Sequence, residues 1–256
     1  MLVHAVVLVG VVVVLPLALG SPMRWWCAGV AVAVSFAVTV GPWSALVASL
    51  WLAMAIGSLV WADSLPDLVA RSYAVVAAGA FVVSRAGLEL FGIGEPIVEL
   101  TAVHFSYAGV GAVTLAAAVL GHRSGAAALI LTALAPPVVA LGFVLAHPLP
   151  QVGGAVMMTV GVLLTATLQL GDATSADTPR RRWLLVSGLA PWVPMVLAVS
   201  WAASNHWAVP ALSIPDMART HGVMNVVFVV AGLWARQSPA ERHVPVTAGP
   251  AMEVTS

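Results

Sequence analysis

Long apolar runs, each about as long as a membrane-spanning helix, fill most of this sequence. A helix needs about 20 apolar residues to cross the hydrocarbon core of a bilayer, and the runs here are separated by Pro, Gly or charged residues. Of the 256 residues, 61% are hydrophobic and 8% are charged, an apolar surplus that a soluble core of this size could not bury. We therefore expect a multi-pass membrane protein.

We predict an all-α transmembrane helix bundle with nine spans, and eight is the alternative count. The predicted spans are 3–20, 25–41, 43–62, 69–91, 96–120, 125–146, 152–170, 183–203 and 216–235. No basic region precedes the first run, so we expect a retained helix and not a signal peptide. Pro136 and Pro137 predict a kink in the sixth helix. Residues 1–240 are expected to form one domain and residues 241–256 a flexible cytoplasmic tail.

The arginines predict the orientation, because cytoplasmic loops are enriched in basic residues. All ten basic residues are arginine. With the N-terminus outside and nine spans, the arginines that fall on the cytoplasmic side are Arg24, Arg71, Arg123, Arg180, Arg181, Arg182, Arg236 and Arg242. The net charge of zero argues against a nucleic-acid partner, and the single Cys27 excludes an internal disulfide.

Two arginines remain inside predicted spans, where a central charge costs about 3 kcal/mol or more unless it is paired or hydrated. Arg85 is four residues before Glu89, a spacing that predicts an ion pair along one helix. Arg219 is three residues after Asp216 in the ninth span. Both arginines fall toward the outer ends of their helices. We expect a polar pocket there, open to one membrane face.

The fifth and ninth spans carry the densest polar faces. The stretch "ELTAVHFSYAG" contains Glu99, His104 and Tyr107, and "PDMARTHGVMN" repeats the acid-to-histidine spacing with Asp216 and His221. Isolated carboxyl groups are costly in lipid. We therefore predict that these two helices are neighbours. A network that only fixes helix packing is the alternative to a functional site.

The segments "LTAVHFSYAG" and "MARTHGVMNVVFVVAGLW" resemble the YndJ-like integral membrane proteins of bacteria, which share an apolar helix with a Thr-Ala-Val-His-Phe core and a late His-Gly-x-x-Asn helix. This resemblance implies the bacterial inner membrane and no defined activity. In its size, its helical character and its intramembrane Glu and Asp, the chain also resembles membrane terpene cyclases of hybrid isoprenoid pathways, although it shares no motif with them.

The second resemblance implies a cyclase that protonates an epoxide or alkene of a prenylated, lipophilic substrate taken from the bilayer. Such a reaction needs a carboxylic acid that stays protonated near neutral pH, and burial favours that form. Aromatic faces would stabilise the carbocations. The candidate catalytic residues are Glu99, Asp216, His104 and His221, and the candidate substrate-binding residues are Phe105, Tyr107, Trp192, Trp201, Arg219 and Asn225. No metal or other cofactor is expected.

Two further hypotheses remain open. The same acids and histidines suit a transporter or proton-coupled carrier, although the sequence contains no visible inverted repeat. A metal-dependent hydrolase would use them as ligands, but known zinc sites on a helix have tighter spacing. The outward-facing pocket also fits poorly with a prenylated substrate made in the cytoplasm, unless the pocket opens laterally into lipid.

Overall fold

The computed structural model describes residues 2–238, and within them the chain forms nine helices and no β-strand. The predicted tail, with Arg242, lies outside the described residues. The helices are α1 (Leu2–Leu19), α2 (Pro22–Ala37), α3 (Pro42–Trp61), α4 (Leu65–Ala86), α5 (Ile97–Ala118), α6 (Gly125–Val144), α7 (Pro148–Ala173), α8 (Thr178–Ser204) and α9 (214–237). The all-α class is therefore confirmed.

Seven of these helices are long and apolar enough to cross a membrane, namely all except α2 and α9. Helix α2 has only 16 residues, which is short for a bilayer. Helix α9 carries Arg219, His221 and Asn225, which lower its hydropathy. The structure thus supports a multi-pass helical protein, in which seven of the nine described helices meet the length and hydropathy of a membrane span.

Prolines and short polar side chains fix many of the helix starts. Pro22, Pro42 and Pro148 are the first residues of α2, α3 and α7, where a missing N–H costs nothing and a fixed φ favours the helix. Ser64 and Asp177 accept hydrogen bonds from backbone N–H groups in the first turns of α4 and α8. These caps are local, so the sequence locates most helices to within a few residues.

The predicted ion pair between Arg85 and Glu89 is wrong, because α4 ends before Glu89. The helix stops at Ala86, where Gly87 takes a left-handed conformation with φ of 71°. Gly87 and Leu88 donate backbone hydrogen bonds to the last turn of the helix, a common termination that glycine permits. Glu89 therefore lies in the exposed loop that follows.

Arg85 instead joins the ends of three helices. Its side chain is buried, its Nε donates to Ser44 Oγ at 2.8 Å, and its Nη2 donates to the carbonyl oxygens of Ser35 and Val38 at 2.8 and 2.9 Å. These partners lie at the end of α2 and the start of α3. The arginine is thus satisfied by backbone carbonyls and not by a carboxylate.

Arg71 has the same kind of role at the opposite end of the bundle. It donates to Asp67 Oδ2 at 2.8 Å and to the carbonyl oxygens of Ser58 and Leu19 at 3.2 Å. Arg24 lies 3.7 Å above the ring of Trp61 nearby. The ends of α1 and α3 therefore meet the starts of α2 and α4, as an up-and-down bundle requires.

Helix α5 is the central element. Of the seven apolar helices it is the most buried, with 67% of its most apolar stretch enclosed. Residues of α5 belong to two hydrophobic clusters, one with α1–α4 and one with α1 and α6–α9. A methyl group added at Gly111 would lie 2.3 Å from Val229 Cγ1. The prediction that the fifth and ninth helices are neighbours is therefore confirmed.

Three helices contain a π-helical segment, a feature that the sequence did not predict. These segments are Gly10–Val14 in α1, Phe105–Gly111 in α5 and Ala218–Gly222 in α9. The segments in α1 and α5 pack against each other, and Gly10 lies against Ser106 and Tyr107. Such segments redirect side chains locally and often occur at functional sites.

Candidate functional site

A cavity of about 490 Å³ lies among α5, α6, α7, α8 and α9. Its size is within the usual range for small-molecule pockets, and most of its wall is aliphatic or aromatic. The exposed loop residues Leu90 and Phe91 contribute to one end of it. None of the described residues that line the cavity is Asp, Glu, Lys or Arg.

Six of the ten predicted site residues line this cavity. They are His104, Phe105, Tyr107, Trp201, His221 and Asn225. Glu99, Trp192, Asp216 and Arg219 are not part of its wall. The structure therefore brings the predicted histidines and most of the predicted aromatic residues together, and it leaves both predicted carboxylates outside.

His221 and Asn225 form a fixed polar pair on α9. His221 Nδ1 lies 2.7 Å from the carbonyl oxygen of Pro194, and Asn225 Nδ2 lies 3.0 Å from His221 Nε2. Because a carbonyl only accepts, Nδ1 carries the proton, and the lone pair of Nε2 accepts from the Asn225 amide. Helix α8 restarts at Trp192 after a turn, which brings the Pro194 carbonyl to this position. The pair suits a neutral imidazole.

His104 is a polar residue of the cavity wall whose ring is available for new hydrogen bonds. It is the last residue before the π-helical segment of α5, and its side chain is accessible because the cavity reaches it. Neither ring nitrogen forms a hydrogen bond with any residue between 2 and 238. An imidazole can donate through one nitrogen and accept through the other, so His104 is available to a ligand.

Aromatic side chains form part of the wall. Phe105 and Tyr107 follow His104 on α5, and Trp201 on α8 packs against Phe143 on α6 with ring centroids 6.1 Å apart. The hydroxyl group of Tyr107 donates to the Val6 carbonyl of α1 at 2.9 Å. Tyr107 therefore presents its ring to the cavity, while its hydroxyl is engaged on the opposite side.

Glu99 faces α1 and not the cavity. Its Oε1 lies 3.4 Å from His4 Nε2, and this buried oxygen makes no hydrogen bond to another described residue. His4 in turn stacks on Phe36 of α2, with ring centroids 4.0 Å apart. Sequence reasoning missed His4, although a histidine within the first apolar run was a visible signal.

Asp216 and Arg219 lie at the exposed start of α9. Their side chains are 52% and 70% exposed, and Arg219 Nη1 donates to Asp216 Oδ1 at 3.3 Å. Ser213 caps this helix and donates to Asp216 Oδ2 at 2.7 Å. Trp192 is also largely exposed and donates from Nε1 to the Gly188 carbonyl at 2.9 Å. These three residues have local partners and no contact with the cavity.

Gln151 is a cavity residue that sequence reasoning did not single out. It lies in the first turn of α7, is 3% exposed, and its Oε1 lies 2.7 Å from His206 Nε2. His206, just after the end of α8, thus holds this buried amide. Among residues 2–238, no group of three or more His, Cys, Asp and Glu side chains is placed to hold a metal ion.

Comparison with known proteins gives a family and no function. A family model described as "YndJ-like protein" matches residues 5–229, which include every element that contributes to the cavity. No curated protein matches the chain, and no solved structure matches it.

Proposed function

The chain belongs to the YndJ-like protein family, and on its structure we propose that it binds a largely apolar small molecule inside the membrane. The observation that carries this proposal is the cavity of about 490 Å³ among α5–α9, with its apolar wall and its few neutral polar groups. A small-molecule site typically has this composition, with few polar groups that fix the orientation of the ligand.

The polar end of such a ligand would meet the histidines. The ring nitrogens of His104 have no hydrogen-bond partner in the part of the chain that the structure describes, while the hydrogen bonds of His221 to Pro194 and Asn225 hold the second imidazole in place. A side chain that is already held in place costs less to order when a ligand binds, which suits a site that takes one oriented ligand. We propose that the ligand enters from the lipid, because an apolar molecule concentrates there before it binds.

Cyclisation of a prenylated substrate is a second candidate function, and the aromatic wall favours it. Phe105, Tyr107 and Trp201 line the cavity and would present ring faces to a carbocation. We leave Glu99 and Asp216 out of this proposal, because neither lines the cavity. The initiating proton would then have to come from a protonated His104, and the neutral imidazole would take a proton back from the final carbocation. A carrier for the same kind of molecule is the alternative.

We propose the bacterial inner membrane as the location, with the N-terminus outside and nine crossings. The bundle gathers Arg24 and Arg71 at one end, because the helix ends that carry them meet there. An arginine-rich end favours the cytoplasmic side, which supports this orientation. Arg71 bonds to the ends of α1 and α3, and Gln237 at the end of α9 donates to the Leu17 carbonyl. Lipid is then the main neighbour, and no nucleic-acid partner is proposed.

Filling the cavity tests the binding proposal. Ala140 on α6 lines the cavity, whereas Ala127 on the same helix is also exposed and does not. We expect protein in lipid nanodiscs to retain a co-purifying apolar molecule that mass spectrometry detects. Ala140→Trp should lose this molecule and Ala127→Trp should keep it. If both variants retain the wild-type content, the cavity is not the binding site.

Co-expression with a prenyl-epoxide pathway separates the two candidate activities. A new cyclised product in the membrane extract, absent with Ala140→Trp, would support the enzyme. An unchanged product profile together with altered release of the substrate from cells would support the carrier.

A further inference from the structure

The cavity has a second polar position, at Gln151. This residue is on α7, whereas the two cavity histidines are on α5 and α9, and it forms part of the same wall. Its side chain is 97% buried, since only 3% is exposed. A buried amide is costly unless both of its polar atoms have partners.

Among the described residues, only one of these atoms has a partner. The amide oxygen lies 2.7 Å from His206 Nε2, and because this oxygen only accepts, the imidazole donates to it. The amide nitrogen is buried and makes no hydrogen bond with any described residue. His206 therefore holds the amide oxygen of a residue that lines the cavity, and the buried amide nitrogen of the same residue is left without a described partner.

The lack of charged side chains in the described cavity wall limits which ligand group can accept a hydrogen bond from this amide. Among its described lining residues there is no Asp, Glu, Lys or Arg. Glu99 faces His4, Arg85 binds backbone carbonyls, and Asp216 pairs with Arg219 at the exposed start of α9. A charged ligand group would therefore be buried without a counter-ion, which is strongly unfavourable.

From these observations we infer that the ligand is an uncharged lipophilic molecule with a hydrogen-bond-accepting oxygen, such as a ketone, quinone or ester, which binds the Gln151 amide. His206 is the positioning residue for that amide. This inference rests on the proposed function, since it names the class of molecule that the cavity takes. It also assigns a recognition role to Gln151 and His206, in addition to the cavity residues His104 and His221.

Binding of matched probes to nanodisc-reconstituted protein tests the inference. The probes are tritiated geranylacetone, which is a neutral isoprenoid ketone, its parent hydrocarbon without the oxygen, and geranyl diphosphate as the charged comparison. We expect the wild type to prefer the ketone to the hydrocarbon and to reject the diphosphate. Gln151→Leu should reduce ketone affinity by about fivefold to tenfold, the usual range for one buried hydrogen bond, and leave hydrocarbon affinity unchanged.

A second glutamine on the same helix provides the matched control. Gln169 is also 3% exposed, accepts a hydrogen bond from Ser187 and does not line the cavity. Gln169→Leu should therefore keep the preference for the ketone. If Gln151→Leu does not fold, His206→Phe tests the same point. This variant keeps the amide but removes the group that orients it, so it should also reduce the preference for the ketone over the hydrocarbon.

The outcomes separate the inference from the proposed function. Equal ketone preference in the wild type, Gln151→Leu and His206→Phe would overturn the role of the amide, while loss of both neutral probes in Ala140→Trp would still support the cavity as the binding site. Tight binding of geranyl diphosphate would overturn the uncharged class. Unchanged binding of every probe in Ala140→Trp would overturn the proposed function itself.

Discussion

At the scale of single residues, ionisable side chains on the same helix have different neighbours, because they point in different directions around the helix axis. Glu99 and His104 are five positions apart, which on an α-helix is an angle of about 140°. Glu99 consequently faces His4 on α1, and His104 faces the cavity. The same spacing on α9 leaves Asp216 exposed while His221 reaches the cavity.

This separation predicts which substitutions affect ligand retention. Glu99→Gln and Asp216→Asn should leave the bound ligand near the wild-type amount, because neither side chain lines the cavity. His104→Ala should reduce it, since an available polar contact is lost. Mass spectrometry of nanodisc samples measures the three variants together. Complete loss of ligand in Glu99→Gln, with normal protein yield, would show that this carboxyl group does contact the ligand.

Arg85 predicts a large effect on stability. Arg85→Ala removes three hydrogen bonds to Ser44 and two backbone carbonyls, and hydrogen bonds from a charged group contribute about 1.5–3 kcal/mol each when they are buried. We expect a clear drop in the melting temperature, with only partial recovery in Arg85→Lys because lysine lacks the planar fork.

The exposed Arg219 is the control for this experiment. Its side chain is 70% exposed and pairs with an exposed Asp216, and such pairs contribute about 1 kcal/mol or less. Thermal-shift measurements on both alanine variants in the same detergent compare the two positions. Equal melting temperatures for Arg85→Ala and Arg219→Ala would contradict the structural role of Arg85.

At the scale of elements, the sequence predicts helices well and their local geometry poorly. Apolar runs and proline starts locate the nine helices, because both signals are local. The end of α4 was missed, since Gly87 stops the helix inside an apolar stretch. The π-helical segments were missed as well, because the apolar pattern of a helix does not distinguish them from α-helix. The partner of Glu99 likewise depends on which helix packs beside it.

Close packing of α5 against α9 gives a test at this scale. Gly111→Ala should destabilise the protein, because the new methyl group would lie 2.3 Å from Val229 Cγ1 and a branched side chain gives way at a cost. Gly79 in α4 is the control, since a methyl group there meets nothing within 4 Å. Gly79→Ala should be neutral or stabilising by about 1 kcal/mol. Equal melting temperatures for the two variants would argue against this helix contact.

At the scale of the whole molecule, the number of crossings depends on α2 and α9. Helix α2 has 16 residues, which is enough to span a bilayer only if the bilayer thins locally or the flanking residues extend to the interface. Its two ends nevertheless occupy opposite ends of the bundle. Arg24 near its start contacts Trp61 at the end of α3, and the carbonyl of Ser35 near its end binds Arg85 at the end of α4.

This geometry predicts the accessibility of single cysteines. In a Cys27→Ser background, Thr39→Cys and Asn205→Cys should react with a membrane-impermeant maleimide in intact cells, because both exposed positions lie at the end of the bundle proposed to face outside. Ser21→Cys and Ser175→Cys should react only after permeabilisation, since they flank the arginine-rich end. Labelling of Thr39→Cys and Ser21→Cys from the same side would show that α2 does not cross. Reversal of all four results would invert the orientation while leaving the bundle and its cavity unchanged.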